Sequence, residues 1–172
     1  MDTLDMDTYK ICEVANKYFY KKGRTAKFIE IEDKIISTNN PASIYYFAKY
    51  VAGVDIGKLT DGIIATKNAE YIYEFAKTVK GANIDKLTDS IIATKNAEYI
   101  YKFAKDVVVG ANIGKLTDAI ISTGDLEYIY YFARYIKGAD KGKLSRAYQE
   151  INAKKKKADS IDKKMDEIIE SL

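Results

Sequence analysis

Four tyrosines recur in this sequence at intervals of 28, 28 and 29 residues, and each is followed four residues later by a basic side chain. The tyrosines are Tyr45, Tyr73, Tyr101 and Tyr130, and the basic residues are Lys49, Lys77, Lys105 and Arg134. Stacked in space, they would form a ladder of rings and cations that could hold a phosphate backbone, stack bases or bind an acidic protein surface. Alternatively, the tyrosines seal seams between neighbouring units while the basic groups are solvated. We favour this second interpretation.

Aspartates recur with the same period, at Asp33, Asp61, Asp89 and Asp118. A lysine precedes each of the last three by three residues, at Lys58, Lys86 and Lys115. A spacing of i, i+3 predicts that each lysine and its aspartate share one helix face, where such a pair contributes roughly 0.2–0.5 kcal/mol. Because each carboxylate would then have its own lysine, and stacked helices lie roughly 10 Å apart, we predict no shared metal ion.

Two positions near the tyrosine column differ from copy to copy. The first is occupied by Tyr46, Glu74, Lys102 and Tyr131, and the second by Tyr50, Thr78, Asp106 and Tyr135. Variable side chains on a fixed frame are expected of a surface whose details are set by a partner, and drift on a solvated face is the alternative. The four tyrosines in these positions are the strongest candidates, because tyrosine is enriched at binding hot spots. We therefore predict a partner-binding surface made of these positions and the neighbouring basic column.

The composition argues against catalysis. The sequence has no histidine, which is the commonest general base and metal ligand. Its single cysteine, Cys12, lies in a predicted helix without an evident basic activator, so a nucleophilic role is not expected. Gly-rich phosphate loops, Cys/His clusters and serine-elbow patterns are also missing from the sequence. We predict a protein that is not an enzyme and that binds neither a cofactor nor a metal.

The elements that must position these residues are helices in tandem copies. The segment KLTDGIIATKNAEYIYEFAK has two close copies and one earlier, diverged copy, so the four related segments are 31–50, 58–77, 86–105 and 115–134. Each copy contains two helical patterns, and the second is an apolar stripe such as Ile72, Phe75, Ala76 and Val79. The spacing predicts a helix of about 10 residues, a tight turn and a second helix of about 12 residues.

Local signals indicate where the second helices begin and end. Each is preceded by a residue that can cap it, namely Asn40, Asn68, Asn96 or Asp125. Pro41 follows the first of these caps at a position that suits proline. A glycine at the left-handed C-cap is predicted to close each second helix, at Gly53, Gly81, Gly110 and Gly138. The central isoleucines are predicted to face the core, at Ile44, Ile72, Ile100 and Ile129.

Tandem helix pairs of this kind resemble α-solenoids of the HEAT-like class, although the unit is shorter than is usual there. The resemblance covers roughly residues 31–141 and implies an all-α fold, a right-handed α-solenoid of four two-helix repeats. Helical hairpins this short are not stable alone and must stack to bury their apolar faces. We predict a single domain over 1–172, with a cap helix in 1–26, four helix pairs in 27–141 and a long C-terminal helix in 142–172.

The two ends differ from the copies. Residues 4–22 predict a helix that turns four apolar side chains towards the first pair, namely Met6, Ile11, Val14 and Tyr18. Near the other end apolar residues fall seven apart, at Leu144, Ile151, Ala158, Met165 and Leu172, which is typical of helix pairing. We expect this last helix to pack along its own chain, with dimerisation through 142–172 as the alternative.

The overall charge and the first residues bear on partners and location. The net charge of +3 arises in residues 141–172, which carry nine basic and six acidic side chains, so the body lacks the basic face typical of nucleic-acid binding. The acidic start does not resemble a signal peptide, and we expect a cytoplasmic protein without a membrane span. We predict protein–protein interaction as an adaptor or small inhibitor. The alternatives are a binder of nucleic acid, or of a nucleic-acid-handling complex, and a self-assembling structural protein.

Overall fold

Ten α-helices make up the described part of this computed structural model, which covers residues 6–107 and 110–170, with side chains up to residue 161. The chain begins with α1 (Met6–Lys22) and ends with the long α10 (Lys141–Glu170). Between them lie four sequence-related pairs, each with a first and a second helix: α2 (Ala26–Ser37) and α3 (Pro41–Tyr50), α4 (Ile56–Ala65) and α5 (Ala69–Thr78), α6 (Ile84–Ala93) and α7 (Ala97–Asp106), and α8 (Ile113–Thr123) and α9 (Leu126–Tyr135). The all-helical fold is as predicted.

The predicted N-caps of the second helices are confirmed. The side chains of Asn40, Asn68, Asn96 and Asp125 each accept a hydrogen bond from the backbone N–H three residues later. The first helices use the same device, with Asp55, Asn83 and Asn112 capping α4, α6 and α8. Each cap satisfies a backbone donor that the helix itself cannot pair, so the capping residues determine where these helices begin.

The glycines after the second helices adopt the predicted left-handed conformation, with φ between 74° and 89° at Gly53, Gly81, Gly110 and Gly138. Their predicted position needs a correction. Each second helix ends on an aliphatic C-cap residue, such as Val51, and the glycine lies two residues further on, or three residues further on after Val107. The sharp reversal of the chain is therefore made by the turn rather than by the helix end itself.

The pairs are held together by side chains that repeat with them. Neighbouring second helices lie side by side, and each second helix also packs on the first helix of the next pair. The central isoleucines are completely buried, as predicted, and so are the phenylalanines three residues after them, at Phe47, Phe75, Phe103 and Phe132. Because burying one such side chain contributes about 1.5–3 kcal/mol, each pair depends on its neighbours for stability. This packing is consistent with a helical repeat.

The lysine–aspartate pairs run between helix pairs, which corrects the predicted pairing within one helix. Lys86 Nζ lies 2.7 Å from Asp61 of the preceding first helix, and Lys115 lies 2.7 Å from Asp89. The contacts Lys58–Asp33 and Lys143–Asp118 extend the series at both ends. We call these four ion pairs the inter-repeat ladder. Adjacent first helices approach closely enough for a lysine to reach the previous aspartate, and that approach cannot be read from the spacing within one helix.

The N-terminal helix turns a different face inward from the one predicted. Met6, Val14 and Tyr18 are exposed, and the buried residues are Thr8, Cys12 and Ala15, with Ile11 and Phe19 partly buried beside them. The inward side chains are mostly small, so α1 can lie close to α3. The Thr8 hydroxyl hydrogen-bonds that of Ser43 at 2.8 Å, and Asn16 bonds both the carbonyl of Tyr50 and the N–H of Ala52. This helix therefore caps the open end of the first pair through polar contacts.

A buried acid ties the same end together. Glu32 is completely buried on α2 and receives two hydrogen bonds from Arg24, at 2.7 and 3.2 Å, and one from the N–H of Asp55. Arg24 also donates to the carbonyl of Gly53. A buried carboxylate is tolerated only when it is paired and hydrogen-bonded, and Glu32 meets both conditions.

The C-terminal helix packs on the chain over its first part only. Leu144 is completely buried, and Tyr148, Ile151 and Asn152 are half-buried against the last pair. Every side chain from residue 153 to residue 161 is exposed. Met165 and Leu172, two members of the predicted seven-residue pattern, lie outside the described side chains. The expected packing along the chain therefore holds for residues 141–152 and does not extend to Ala158. A search of the described helices identifies none with the length and apolarity to cross a membrane.

Candidate partner-binding face

The four second helices present one continuous surface, which we call the second-helix face. Contacts between their side chains link each helix to the next. Thr78 donates to the Tyr45 hydroxyl at 3.2 Å, and the Tyr73 hydroxyl donates to Asp106. The predicted columns and variable positions of neighbouring copies are therefore in contact across this face.

The tyrosine column seals seams in the interior of the chain, as the favoured interpretation holds. Tyr45 and Tyr73 are each 5% exposed. Their ring centroids lie 5.8 and 6.0 Å from those of Tyr71 and Tyr99 on the next second helix. Tyr101 repeats this contact with the following helix at 6.0 Å. Aromatic pairs at this separation contribute about 0.5–1.5 kcal/mol beyond their buried area, so these rings belong to the frame.

The basic column is anchored by the tyrosines one turn before it. Lys49 and Lys77 donate to the hydroxyls of Tyr45 and Tyr73, each at 2.8 Å, and these hydrogen bonds raise the pKa of both lysines. Lys105 lies 5.7 Å above the centre of the Tyr101 ring. The ammonium groups remain exposed while their positions are defined, which suits them to recognise a charge on a partner.

Arg134 ends this column in a more open setting. Its guanidinium donates to the Tyr130 hydroxyl at 3.1 Å and lies 5.7 Å from the ring centre of Tyr135. All three side chains are exposed, with Tyr130 at 47% and Tyr135 at 57%. The tyrosine of the column is therefore exposed on the last second helix, α9, whereas Tyr45 and Tyr73 are buried on earlier ones.

Two variable tyrosines lie together on α3. The rings of Tyr46 and Tyr50 are stacked, with centroids 5.9 Å apart and planes within 7°. Tyr46 is half-buried against Tyr45, whereas Tyr50 is 53% exposed. Glu74, the equivalent of Tyr46 in the next pair, is half-buried. The structure thus places these three predicted residues on one face, with an aromatic patch at its α3 end.

The variable residues of α7 and α9 converge in a groove between these two helices. Its volume is about 390 Å³, and its walls include these four variable residues, Lys102, Asp106, Tyr131 and Tyr135, together with Lys105 of the basic column. Tyr131 forms the centre of an aromatic cluster, with its ring centroid 6.0–6.2 Å from those of Tyr101, Tyr128 and Tyr135. We call this the α7–α9 groove.

Charges of both signs line the α7–α9 groove. Lys102 pairs with Glu98 at 2.5 Å and lies 4.7 Å from the centre of the Tyr99 ring. Asp106 accepts from the Tyr73 hydroxyl and lies 3.4 Å from Lys77. Burial raises the pKa of Asp106, but these hydrogen bonds outweigh it and hold the pKa below the usual aspartate value. Asp106 is therefore a carboxylate at neutral pH.

Sequence reasoning missed two residues of this groove, Glu98 and Tyr128. Both belong to positions that hardly change between copies, so variation among copies does not single them out. A usable signal was the spacing of Glu98 and Lys102, which are four residues apart on one helix and so expected to pair.

Potential metal ligands do not cluster in residues 6–107 and 110–161. The side chains of that region include no cluster of three His, Cys, Asp or Glu that could hold an ion. Cys12 is buried in α1. The arrangement of the second-helix face is suited to recognition by shape, aromatic contact and paired charge.

Comparison with models of protein families, with curated proteins and with solved structures yields no match for this chain.

Proposed function

We propose that this chain is a non-catalytic binding module that acts by protein–protein interaction, as an adaptor or small inhibitor. In this proposal it is a right-handed α-solenoid of four two-helix repeats, the frame of which positions the second-helix face. A rigid frame loses little conformational entropy on binding, which helps a small surface reach useful affinity.

One observation carries the proposal: the variable positions of two neighbouring pairs converge in the aromatic α7–α9 groove. Tyr131 and Tyr135 present large, stiff rings there, and Tyr135 is mostly exposed. Such rings bury much area at low entropic cost and dominate the energetics of many protein interfaces. The frame does not need Tyr135, because the equivalent residues in the other pairs are Tyr50, Thr78 and Asp106.

The balance of charge supports a protein partner. The groove holds Lys102 and Lys105 against Glu98 and Asp106, so it has no net excess of either sign among these four. A site for a nucleic-acid backbone is expected to be strongly basic. A protein surface, which also mixes both charges, is a better electrostatic match.

The test is affinity capture with the full chain as bait, followed by mass spectrometry, using wild type and Tyr131→Ala/Tyr135→Ala. A specific partner should be retained by wild type and lost by the double variant. Tyr20→Ala is the matched control, because Tyr20 is 78% exposed and belongs to α1 rather than to a second helix. Circular dichroism should verify that all variants are folded. Retention of every captured protein by the double variant would refute the proposed face.

Nucleic-acid binding is a second proposal, supported by the four consecutive exposed lysines at 154–157 on α10. A labelled single-stranded oligonucleotide should then bind with an affinity that falls steeply with salt, because counterions are released on binding. Replacing these four lysines by glutamine should abolish binding, whereas the same change at Lys21 and Lys22, exposed at the end of α1, should not. Salt-insensitive binding, or none, would exclude this second function.

A further inference from the structure

The start of α10 resembles the first helix of a further pair, but α10 does not turn where the earlier first helices end. The start of α10 repeats the first-helix pattern, with GKLSRAY at 142–148 matching GKLTDAI at 114–120. Leu144 is completely buried, as Leu116 is, and Lys143 extends the inter-repeat ladder to Asp118. Instead of turning into a second helix, α10 continues as one helix to Glu170. The place beside α9 where a fifth second helix would pack is thus not filled by α10.

The wall that α9 contributes to this place is more exposed than the same wall elsewhere. Tyr130 is 47% exposed, whereas its counterparts Tyr45 and Tyr73 are 5% exposed. Ala133 is half-buried, whereas the equivalent alanines of the earlier pairs are buried, at Ala48, Ala76 and Ala104. In the described part of the chain, Tyr130 lacks the ring contact with a following second helix that Tyr45, Tyr73 and Tyr101 make.

The wall that α10 contributes is open as well. Tyr148 is half-buried, although it occupies the position of isoleucines that are completely buried in earlier first helices, at Ile63, Ile91 and Ile120. Two helices from different pairs therefore both expose the side that a second helix covers elsewhere. We call this place the α9–α10 seat.

The position filled by α7 shows one arrangement that suits a column of tyrosine and basic residue. On α7, Tyr99 packs on the Tyr73 ring, and Asp106, seven residues later on the same face, accepts from the Tyr73 hydroxyl and lies 3.4 Å from Lys77. At the seat the corresponding groups are Tyr130 and Arg134, whose guanidinium can form a bidentate pair with a carboxylate where Lys77 offers a single ammonium. The seat thus matches an aromatic ring followed seven residues later by a carboxylate.

We propose that the α9–α10 seat binds an amphipathic helix of a partner protein, which carries an aromatic residue at one position and Asp or Glu seven residues later. This inference rests on the proposed function, protein binding, and names the partner's binding element. A second copy of this chain does not fit in register, because its α3, which would have to extend the stack, is already covered by α1 through Thr8 and Asn16. The binding mode is that of a helix laid along an apolar groove with charged contacts at its edge.

The probe is a labelled peptide of residues 94–107, TKNAEYIYKFAKDV, which is the chain's own α7 with its cap and contains both Tyr99 and Asp106. Binding to the full chain is measured by fluorescence anisotropy. We expect weak but saturable one-to-one binding, because an isolated helix of this length is marginal in water. Tyr130→Ala should weaken it about two- to tenfold, the range of one aromatic pair, and Tyr20→Ala should leave it unchanged.

A charge exchange tests the register. Arg134→Glu should reject the wild-type peptide and accept a peptide with Asp106→Lys, whereas wild-type protein should show the opposite preference. Tyr130 and Arg134 are both exposed, so these variants should fold, which circular dichroism verifies.

The outcomes separate this inference from the proposed function. Absence of peptide binding, equal loss with Tyr20→Ala, or failure of the charge exchange overturns the seat, even if Tyr131→Ala/Tyr135→Ala still loses a captured partner. Tyr130→Ala could also abolish a dimer detected by light scattering, or the binding of an oligonucleotide. Either result would assign the seat to that ligand and overturn the proposal of a partner helix. Peptide binding at Tyr130 with capture unaffected by Tyr131→Ala/Tyr135→Ala would instead keep the seat and reject the proposed face.

Discussion

The turn inside each helix pair forces one residue into a left-handed conformation, and that strain can be removed by mutation. Lys67 and Lys95 both have φ of 54°, and Gly124 occupies the equivalent position of the last pair at 70°. The surroundings are the same in these turns, since Thr66 and Thr123 each donate to the carbonyl three residues earlier, at 2.7 and 2.6 Å. The turn of the last pair therefore shows that glycine fits this site.

The expected gain is a difference of two effects. A residue with a side chain loses roughly 1–2 kcal/mol in the left-handed region, and glycine there removes that cost. Glycine also increases the entropy of the unfolded chain, which costs about 0.4–1 kcal/mol. The balance predicts that Lys67→Gly stabilises the protein by about 0.5–1 kcal/mol, and Lys67→Gly/Lys95→Gly by about twice that if the turns act independently.

Thermal unfolding followed by circular dichroism, with urea unfolding as a second measurement, tests this prediction. For a chain of this size, 1 kcal/mol corresponds to a Tm change of about 2–4 °C, so the double variant should melt several degrees higher than wild type. Lys80→Gly is the matched control, because Lys80 lies in an exposed turn outside the left-handed region and should lose about 0.4–1 kcal/mol. The reverse change, Gly124→Lys, should lower Tm.

A double variant that melts at or below the wild-type temperature, while Lys80→Gly behaves as expected, would refute the reasoning. It would mean that the left-handed turns hold the lysines by contacts worth more than their backbone strain.

Three further predictions concern the contacts between elements. Gly53→Ala should lower the free energy of unfolding in urea by about 1–3 kcal/mol more than Gly81→Ala does. Both glycines have positive φ, but only at Gly53 would a Cβ collide with a ring of α1, at 1.9 Å. Equal losses of stability would contradict this. Asp106→Asn should lower stability at neutral pH by less than about 1 kcal/mol. Because the pKa of Asp106 is lowered in the folded protein, the stability difference between wild type and variant should vanish as pH falls below the usual aspartate range. A stability difference that grows in acid would contradict this prediction. A double-mutant cycle of Asp61→Ala and Lys86→Ala should give a coupling of about 0.2–1 kcal/mol that shrinks in high salt, and a salt-independent coupling would exclude a screened surface pair.

The core and the helix boundaries could be predicted because the sequence states them several times. The central isoleucines recur in every copy. A match to the helical period that arose by chance would not recur in this way, so the buried stripe can be identified by comparing the copies. Caps are local as well, since Asn68 needs only the backbone three residues later to act. Information that lies within one helix and its turn was therefore readable without any knowledge of packing.

Two features depended on distances between helices and were wrongly predicted. Lys58, Lys86 and Lys115 each have two aspartates within reach by sequence, one three residues later on the same helix and one on the preceding first helix. Only the distance between the packed helices decides which aspartate is paired. In α1, which has no copies to compare, a stripe of larger apolar residues suggested the wrong face. The helix turns Ala15 and Cys12 inward because close approach to α3 favours small residues there.

The variable surface was only partly predictable for a related reason. Variation among copies identifies positions that the frame does not need, and it led to Tyr131 and Tyr135. It does not identify Tyr128, which is common to three copies and lines the α7–α9 groove because of where α9 lies. A residue can be repeated for the frame and still contribute to a site.

The tyrosine column shows how position along a tandem array decides what a repeated residue does. Tyr45 and Tyr73 are buried because another second helix follows, whereas Tyr130 occupies the same position of its own helix and is exposed. In the described residues no second helix lies beyond α9, so the same side chain is surface there, beside an arginine in place of the usual lysine. In this fold, a surface suited to binding therefore arises where no further second helix covers the tyrosine column, as well as where side chains vary between copies. Lys137 lies just after the end of α9 and outside the tyrosine and basic columns. Lys137→Ala should therefore leave peptide binding at the seat unchanged, whereas changes at Tyr130 and Arg134 should weaken it.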